Sequence, residues 1–441
     1  MTTLTSTFTQ QTATRVKLAN AAATQRFPTV AQGREPVHVV YGGAHLFQAG
    51  VSAKMGNAAL KSMSEHASDA QTFAAAVGIA TELADRVYAR VQHKLQTEPV
   101  EDFRIDFEDG YGVRADADED GDAIRAADEV VAGMAQKSLP PFIGIRTKAF
   151  SDEHFPRALR TLDLFVSRVV KSGTGALPPH FVVTQPKVTT PAHTKILAEV
   201  LEQLERGVGL KRESIGIEVM IEDPRALIGG DGVVALPHIV DAARGRLVAA
   251  HFGPYDFSAS NDITALHQTL DHDHNDFART LMKNALYGSG VRVADGPTTT
   301  LPIAPHRGNG LSQEQRIENA ALVHAAWKLH AENVRRSLAH GYHQSWDLHP
   351  AQLPARYGAL FALYAQALPV MSERLRKFAA AKAHATRVGQ AFDDAATVEG
   401  IVAFFVRGVA CGACAVWHCA GWWLAAVRLS AARRVCTVGH D

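Results

Sequence analysis

Apolar residues recur along this chain in two rhythms. Short runs rich in β-branched and aromatic residues alternate with longer stretches whose apolar positions repeat at helical spacing. The short runs are Val37–Tyr41, Phe103–Phe107, Phe142–Arg146, Phe181–Gln185, Ile215–Ile221, Leu247–Phe252, Val291–Val293 and Tyr342–Leu348. The stretches between them predict helices over 55–95, 122–136, 154–170, 190–206, 273–286, 313–339 and 351–385, with an acidic loop at 116–122 and a long loop at 296–312. A further helix is expected after the fifth run. Pro224 can open it, because the N–H that proline lacks is one a helix start leaves unpaired anyway.

Eight strand–helix units in order, without internal repeat, imply parallel strands joined by helical crossovers. Eight such units closing on themselves make a TIM barrel. An open doubly wound sheet would want a glycine-rich phosphate turn after its first strand, and Gly42-Gly43 does not supply one. The expected fold class is therefore α/β, a (β/α)8 TIM barrel with extra helices and an atypical C-terminal tail. The expected division is a loosely ordered N-terminal arm at 1–34, the barrel at 35–390 and a C-terminal segment at 391–441, atypical from about 408.

In such barrels the C-terminal ends of the strands carry the chemistry. Here those ends hold Glu108 and Asp109, Arg146, Lys187, Glu222, Asp256, Asp295 and His349. Charged groups at nearly every strand end point to one converging site. Glu222 and Asp256 are the sharpest pair. Two carboxylates from neighbouring strands suit Mg²⁺ or Mn²⁺, which take hard oxygen ligands and keep several waters. The plainer alternative has each carboxylate capping the helix after its strand.

The segments Gly216-Ile-Glu-Val-Met-Ile-Glu222-Asp-Pro and Phe252-Gly-Pro-Tyr-Asp256-Phe-Ser-Ala-Ser260 resemble the two metal motifs of the citrate lyase β-subunit/HpcH-type aldolase family, whose fold is a phosphoenolpyruvate/pyruvate-binding TIM barrel. Asp223 and Phe257 depart from the family's Thr and Leu, and neither position is a ligand. Arg104-Ile-Asp-Phe-Glu108-Asp-Gly-Tyr, Ile143-Gly-Ile-Arg146, Gln185-Pro-Lys187 and Leu348-His349-Pro-Ala-Gln352 resemble its other strand-end turns. The resemblance spans about residues 37–365 in a long, divergent member. It implies Glu222 and Asp256 as Mg²⁺ (or Mn²⁺) ligands, with Glu218 the lesser choice, and Arg146 as the grip on a substrate carboxylate.

On that reading the protein is an enzyme, a metal-dependent carbon–carbon lyase or aldolase acting on a pyruvate-like oxoacid through a stabilised enolate. An acyl-CoA is a candidate second reactant. The alternatives are a phosphoenolpyruvate-using phosphotransfer or carboxylation enzyme and a catalytically silent metabolite-binding barrel. No Gly-x-x-x-x-Gly-Lys-Ser/Thr loop is present, which counts against an ordinary kinase. Arg146 is suited to hold a carboxylate with two parallel bonds; a structural salt bridge to Glu108 or Asp109 is the competing role. Asp106 points inward if the strand alternates, and Arg104 or Arg146 would then serve it. Glu108 or Asp109 would hold the water that acts as base. Lys187 is a candidate for neutralising these carboxylates rather than for a Schiff base. His349 is either a general acid/base or a group fixing nearby backbone.

Composition narrows the classes. Forty-five basic residues balance 45 acidic ones, which argues against a nucleic-acid partner. Hydrophobic residues make 46 % of the 441-residue chain, ordinary for a globular protein. No apolar run reaches the roughly 18 residues a membrane span needs, and no apolar core marks the first thirty residues as a signal peptide. A cytoplasmic homo-oligomer, without a membrane partner, is expected. The four cysteines are Cys411, Cys414, Cys419 and Cys436. They share the tail with His418, Trp417, Trp422 and Trp423, and no acidic residue lies between Phe404 and Asp441. This shift in composition predicts poor packing, as an altered reading frame would produce, ahead of a metal or redox site. The cluster from His267 to His274 is expected as a solvated loop and N-cap. Asp116-x-Asp118-x-Asp120-Gly121 lacks the final glutamate of a calcium loop, that position being Ala127.

Overall fold

The computed structural model describes residues 3–26, 34–308, 310–380, 386–388, 391–393 and 395–414. Eight strands close into a barrel in sequence order: β1 (His38–Gly43), β2 (Asp102–Asp106), β3 (Phe142–Arg146), β4 (Val182–Gln185), β5 (Gly216–Ile221), β6 (Leu247–Phe252), β7 (Arg292–Pro297) and β8 (Gln344–Asp347). This is the expected (β/α)8 barrel with extra helices. The helices are α1 (Ser6–Arg26), α2 (Val51–His66), α3 (Ala70–Val77), α4 (Ala84–Thr97), α5 (Asp116–Gln136), α6 (Phe155–Ser172), α7 (Pro191–Val208), α8 (Leu236–Ala242), α9 (Pro254–Ser260), α10 (Asp273–Ala285), α11 (Gln313–Ala339), α12 (Leu353–Ala380) and α13 (Ala395–Ala410). A two-stranded antiparallel ladder pairs β9 (Thr386–Val388) with β10 (Ala391–Asp393). No helix among the described residues is long and apolar enough to cross a membrane.

Three elements differ from the sequence expectation. The stretch 55–95 is broken into three helices: Asp69 caps α3 by accepting N–H bonds from Gln71 and Thr72, and Gly78 ends it in the left-handed region at φ 71°. The acidic segment expected as a loop is the start of α5, with Asp116, Asp118 and Glu119 in its first turn, where the helix dipole favours negative charge. Asp120 there pairs with Arg157 and Arg160. After Pro224 only a 3-10 turn forms, and α8 waits until Leu236.

The chain forms two compact units. The first comprises residues 1–33, 41–49 and 103–296. Parallel pairing sets Ile145 opposite Val183, Thr184 opposite Glu218 and Ile221 opposite Phe252. Gly144 is required in this sheet, since a Cβ there would lie 2.3 Å from the Val182 carbonyl oxygen. Outside the strands α5, α6 and α7 pack in succession. The inner face of α6 buries Leu162, Phe165, Val166 and Val169, and Phe165 meets the rings of Phe107 and Phe181. Each large side chain so buried contributes roughly 1.5–3 kcal/mol. The N-terminal helix α1 is almost wholly exposed.

The second unit comprises residues 34–40, 50–102 and 297–441. In it β8 pairs with β1, Val40 opposite Asp347. Asp347 is fully buried and collects three partners. Arg356 Nε donates to its two oxygens at 2.8 and 2.6 Å, and His330 Nε2 lies 2.9 Å away. His38 Nε2 accepts the Glu101 backbone N–H at 2.9 Å, so its proton sits on Nδ1 and is donated to Asp347 at 2.6 Å. Burial opposes ionisation of Asp347, but Arg356 and the two histidines outweigh it and hold the carboxyl well below the usual range. Helix α13 packs on α12. Cys411, Ala413 and Cys414 beyond it are buried, and Arg90 donates to the Gly412 carbonyl. This part of the tail is thus packed where loose packing is expected. Trp417, His418, Cys419, Trp422, Trp423 and Cys436 lie outside the described residues.

Two outcomes follow for the second unit. Asp347→Asn takes a buried anion from the Arg356 and His38 donors and from His330 beside it, and should cost about 3–5 kcal/mol in urea unfolding at pH 7. Because the folded carboxyl titrates below its unfolded value of about 3.9, that contribution is present above this pH and is lost as pH falls through the folded value. The gap between variant and wild type should therefore close in acid; an equal unfolding midpoint at pH 7 would exclude the network from stability. Burial also pushes the Cys411 thiol up to about 12. With Cys419 and Cys436 replaced by Ser, the native protein should resist a thiol reagent until it unfolds, and rapid native labelling would contradict this packing.

Candidate active site

Each candidate side chain in the first unit leaves the C-terminal end of a strand. Arg146 ends β3, Glu108 and Asp109 follow β2, Lys187 follows β4, and Glu222 follows β5 directly. Asp256 stands in the first turn of α9, after β6. The pairing of Ile221 with Phe252 brings Glu222 beside Gly253. A Cβ on Gly253 would lie 2.6 Å from the Glu222 Cβ, so glycine is what lets β5 and the turn after β6 approach.

Asp106 anchors the turn after β2. It receives Arg146 Nε at 2.7 Å and Nη2 at 2.5 Å. It also accepts the backbone N–H of Glu108 at 3.0 Å and of Gly110 at 2.7 Å. Burial disfavours its charge, yet Arg146 and these bonds win and keep its pKa below the ordinary value. Arg146 therefore spends the edge suited to a two-bond carboxylate grip on Asp106. Its Nη1 faces Glu108 at 3.2 Å and Asp109 at 3.5 Å. The structural salt bridge weighed from the sequence is present, and the strongest partner is Asp106.

Lys187 ties the two acidic turns together. Its Nζ donates to Glu108 at 2.7 Å and approaches Asp109 at 3.4 Å. Its backbone N–H donates to Glu222 Oε1 at 2.6 Å, from a left-handed conformation at φ 49°. The ammonium loses solvation by burial, but Glu222 and Glu108 raise its pKa nonetheless. It is a charged group, as the neutralising role requires, and not a free amine.

Glu222 is buried and Asp256 exposed. Burial, reinforced by Glu108 and Asp256 against the pull of Lys187 and Arg146, pushes the Glu222 carboxyl up to about 7. Burial likewise raises Glu108, with Asp109 adding to it. Glu108 Oε2 is buried and accepts no hydrogen bond. Five carboxylates thus meet two cations at these strand ends, Asp106, Glu108, Asp109, Glu222 and Asp256 against Arg146 and Lys187. Such a surplus of hard oxygen donors fits a divalent cation. Among the described residues no three His, Cys, Asp or Glu side chains gather as a metal cage. A cation at Glu222 and Asp256 would take its remaining positions from water and substrate, as Mg²⁺ commonly does.

A second buried layer lies on the inward positions of the strands. Glu218 on β5 receives Arg104 Nε at 3.0 Å and Nη2 at 2.6 Å, and the Thr184 hydroxyl at 2.7 Å. The Tyr41 hydroxyl lies 3.0 Å from Glu218 and 2.9 Å from His251 Nδ1. Glu218 is thereby fully engaged in the barrel interior. Tyr41, Thr184 and His251 escaped the sequence reading. The available signal was a polar side chain set inside an otherwise apolar parallel strand, where continuous apolar runs are the rule.

The remaining candidates have local partners. His349 lies in the second unit, where its Nδ1 accepts the Ala351 N–H at 3.2 Å and burial lowers its pKa. That contact is of the kind a backbone-fixing group makes. Asp295 meets Arg279 Nε at 2.9 Å. His272 caps α10 through the His274 N–H, as expected of that cluster.

The sequence pattern of the domain of unknown function DUF6986 matches residues 16–434. The chain belongs to that family. The matched span runs past the change in composition near residue 408, which counts against an altered reading frame as the tail's origin. No curated protein matches the sequence. Among solved structures, a citrate lyase from Burkholderia xenovorans LB400 is similar at 18 % identity and a TM-score of 0.56, covering 88 % of this chain and 94 % of that one. Haloferax volcanii malate synthase in a lead(II) complex matches at 13 % identity and a TM-score of 0.48, covering 86 % of this chain and 90 % of that one. At 18 % identity the likeness to the citrate lyase is one of fold.

The Asp106–Arg146 pair makes a direct test. Arg146→Lys keeps the charge but cannot make two parallel bonds, and should cost about 1.5–3 kcal/mol in unfolding free energy. An unchanged urea midpoint would remove this pair as the anchor of the turn.

Proposed function

We propose that this protein is a Mg²⁺-dependent carbon–carbon lyase or aldolase acting on a pyruvate-like oxoacid. The observation that carries the reading is the placing of the buried Glu222, tied through Lys187 to Glu108 and through the Gly253 contact to the turn that leads to Asp256; this crowding goes with a Glu222 carboxyl pushed up to about 7. Carboxylates crowded in this way call for an added positive charge. The motif resemblance around Glu222 and Asp256 and the fold shared with a citrate lyase support the same chemistry.

Glu222 and Asp256 are the residues that would hold the cation. Bound there, it would supply the Lewis acidity that favours an enolate over its keto acid. Lys187 keeps Glu108 and Glu222 at a fixed separation through its ammonium and its backbone N–H. Arg146 adds positive charge at the side of the site lined by Glu108 and Asp109. Glu108, whose Oε2 faces Arg146 Nη1 at 3.2 Å without a hydrogen bond, is the group that would hold the water that takes the substrate proton, with Asp109 next to it. An acyl-CoA remains the candidate second reactant.

Exchange of pyruvate methyl protons for deuterium tests the reading. Wild-type protein should catalyse it with Mg²⁺ and stop when the metal is chelated. Glu222→Gln and Asp256→Asn should each weaken Mg²⁺ binding about tenfold or more, ~1.4 kcal/mol, and remove the exchange while the thermal midpoint without metal stays near wild type. Mg²⁺ and pyruvate binding without exchange would favour a silent barrel. Full exchange in either variant would refute the ligand assignment.

A further inference from the structure

Arg146 has an aromatic neighbour besides its three carboxylates. Its guanidinium carbon lies 4.8 Å from the centroid of the Tyr41 ring. Such a contact is worth more when the cation is removed from water, and Arg146 is only 3 % exposed. The Tyr41 hydroxyl reaches the opposite way, to Glu218 and His251 in the lower layer. Glu218 is itself locked by Arg104 and Thr184. One side chain therefore touches both layers, carrying the arginine on its face and gripping the fixed carboxylate with its tip.

We propose that Tyr41 is a positioning residue that sets the orientation of Arg146 from the buried Glu218 layer. The Asp106 contact fixes two nitrogens of the guanidinium, while Nη1 approaches Glu108 and Asp109 only at 3.2 and 3.5 Å, which leaves the plane some freedom to tilt about the line through the two fixed nitrogens. The ring of Tyr41 closes one face and removes that freedom. Nη1 is then held toward Glu108 and Asp109, the side of the site where the oxoacid is expected. An aromatic residue held only by packing could tilt; the hydroxyl bond to a carboxylate that cannot move prevents it. Only the binding arm of the test below rests on the oxoacid reading.

The first arm needs no activity. The arginine side-chain ¹⁵N spectrum of the full chain should contain an Arg146 Nε–H signal, assigned by its loss in Arg146→Lys. In wild type it should be shifted by the Tyr41 ring and slow to exchange with solvent. Tyr41→Phe keeps the ring, so the shift should persist with faster exchange. Tyr41→Leu should lose the shift, and exchange should quicken about tenfold or more. The second arm measures pyruvate affinity at saturating Mg²⁺. Tyr41→Leu should weaken it about tenfold and Tyr41→Phe by less, with Mg²⁺ affinity unchanged in both. An Arg146 signal in Tyr41→Leu matching wild type in shift and exchange would overturn the proposal. So would variants that lose only thermal stability and keep wild-type pyruvate affinity. Failure of wild type to bind pyruvate would refute the oxoacid reading alone, and the Arg146 signal would still decide the role of Tyr41.

Discussion

The bond pair between Asp106 and Arg146 constrains everything built at these strand ends. Removing two opposite charges from water is costly unless their hydrogen-bonding capacity is filled. Asp106 achieves this with two guanidinium nitrogens and two backbone N–H groups of the turn that follows it. The same four bonds that satisfy the buried charge therefore fold the turn. Glu108 and Asp109 owe their placement to it, and the Lys187 ammonium is placed by them in turn.

Lys187 shows how strain serves the arrangement. A non-glycine residue in the left-handed region is disfavoured by about 1–3 kcal/mol, and its persistence requires compensation from its surroundings. Here the unusual backbone turns the N–H onto Glu222 while the side chain reaches Glu108. Gly253 contributes by omission, leaving room for the Glu222 side chain. The result is a fixed group of carboxylates, buried at Glu222 and open to solvent at Asp109 and Asp256, with too little positive charge to balance it. That imbalance is unhelpful for stability and useful for holding a cation.

The barrel was legible because parallel strands buried on both faces write themselves as short apolar runs, and β3 and β6 match their runs at both ends. The strand-end residues were legible for the same reason, since polarity resumes where burial stops. Helix boundaries were harder where a cap decides them: Asp69 and Gly78 interrupt what reads as one Ala-rich helix, and an acidic run reads as loop although it is well suited to the start of α5. Arg146 illustrates the limit for the site. Its position was plain, but a guanidinium edge can serve a substrate or Asp106 equally well on paper. Only the geometry assigns that edge to Asp106. Tyr41 and His251 were hidden because their contacts join strands far apart in sequence.

The central claim is that Glu222 and Asp256 share one divalent cation. Crystals grown with Mn²⁺ and measured for anomalous scattering test it most directly. The account predicts a single strong peak within about 2.0–2.6 Å of an oxygen from each of these two carboxylates. A peak elsewhere, or none at this position with Mn²⁺ at saturating concentration, would contradict it.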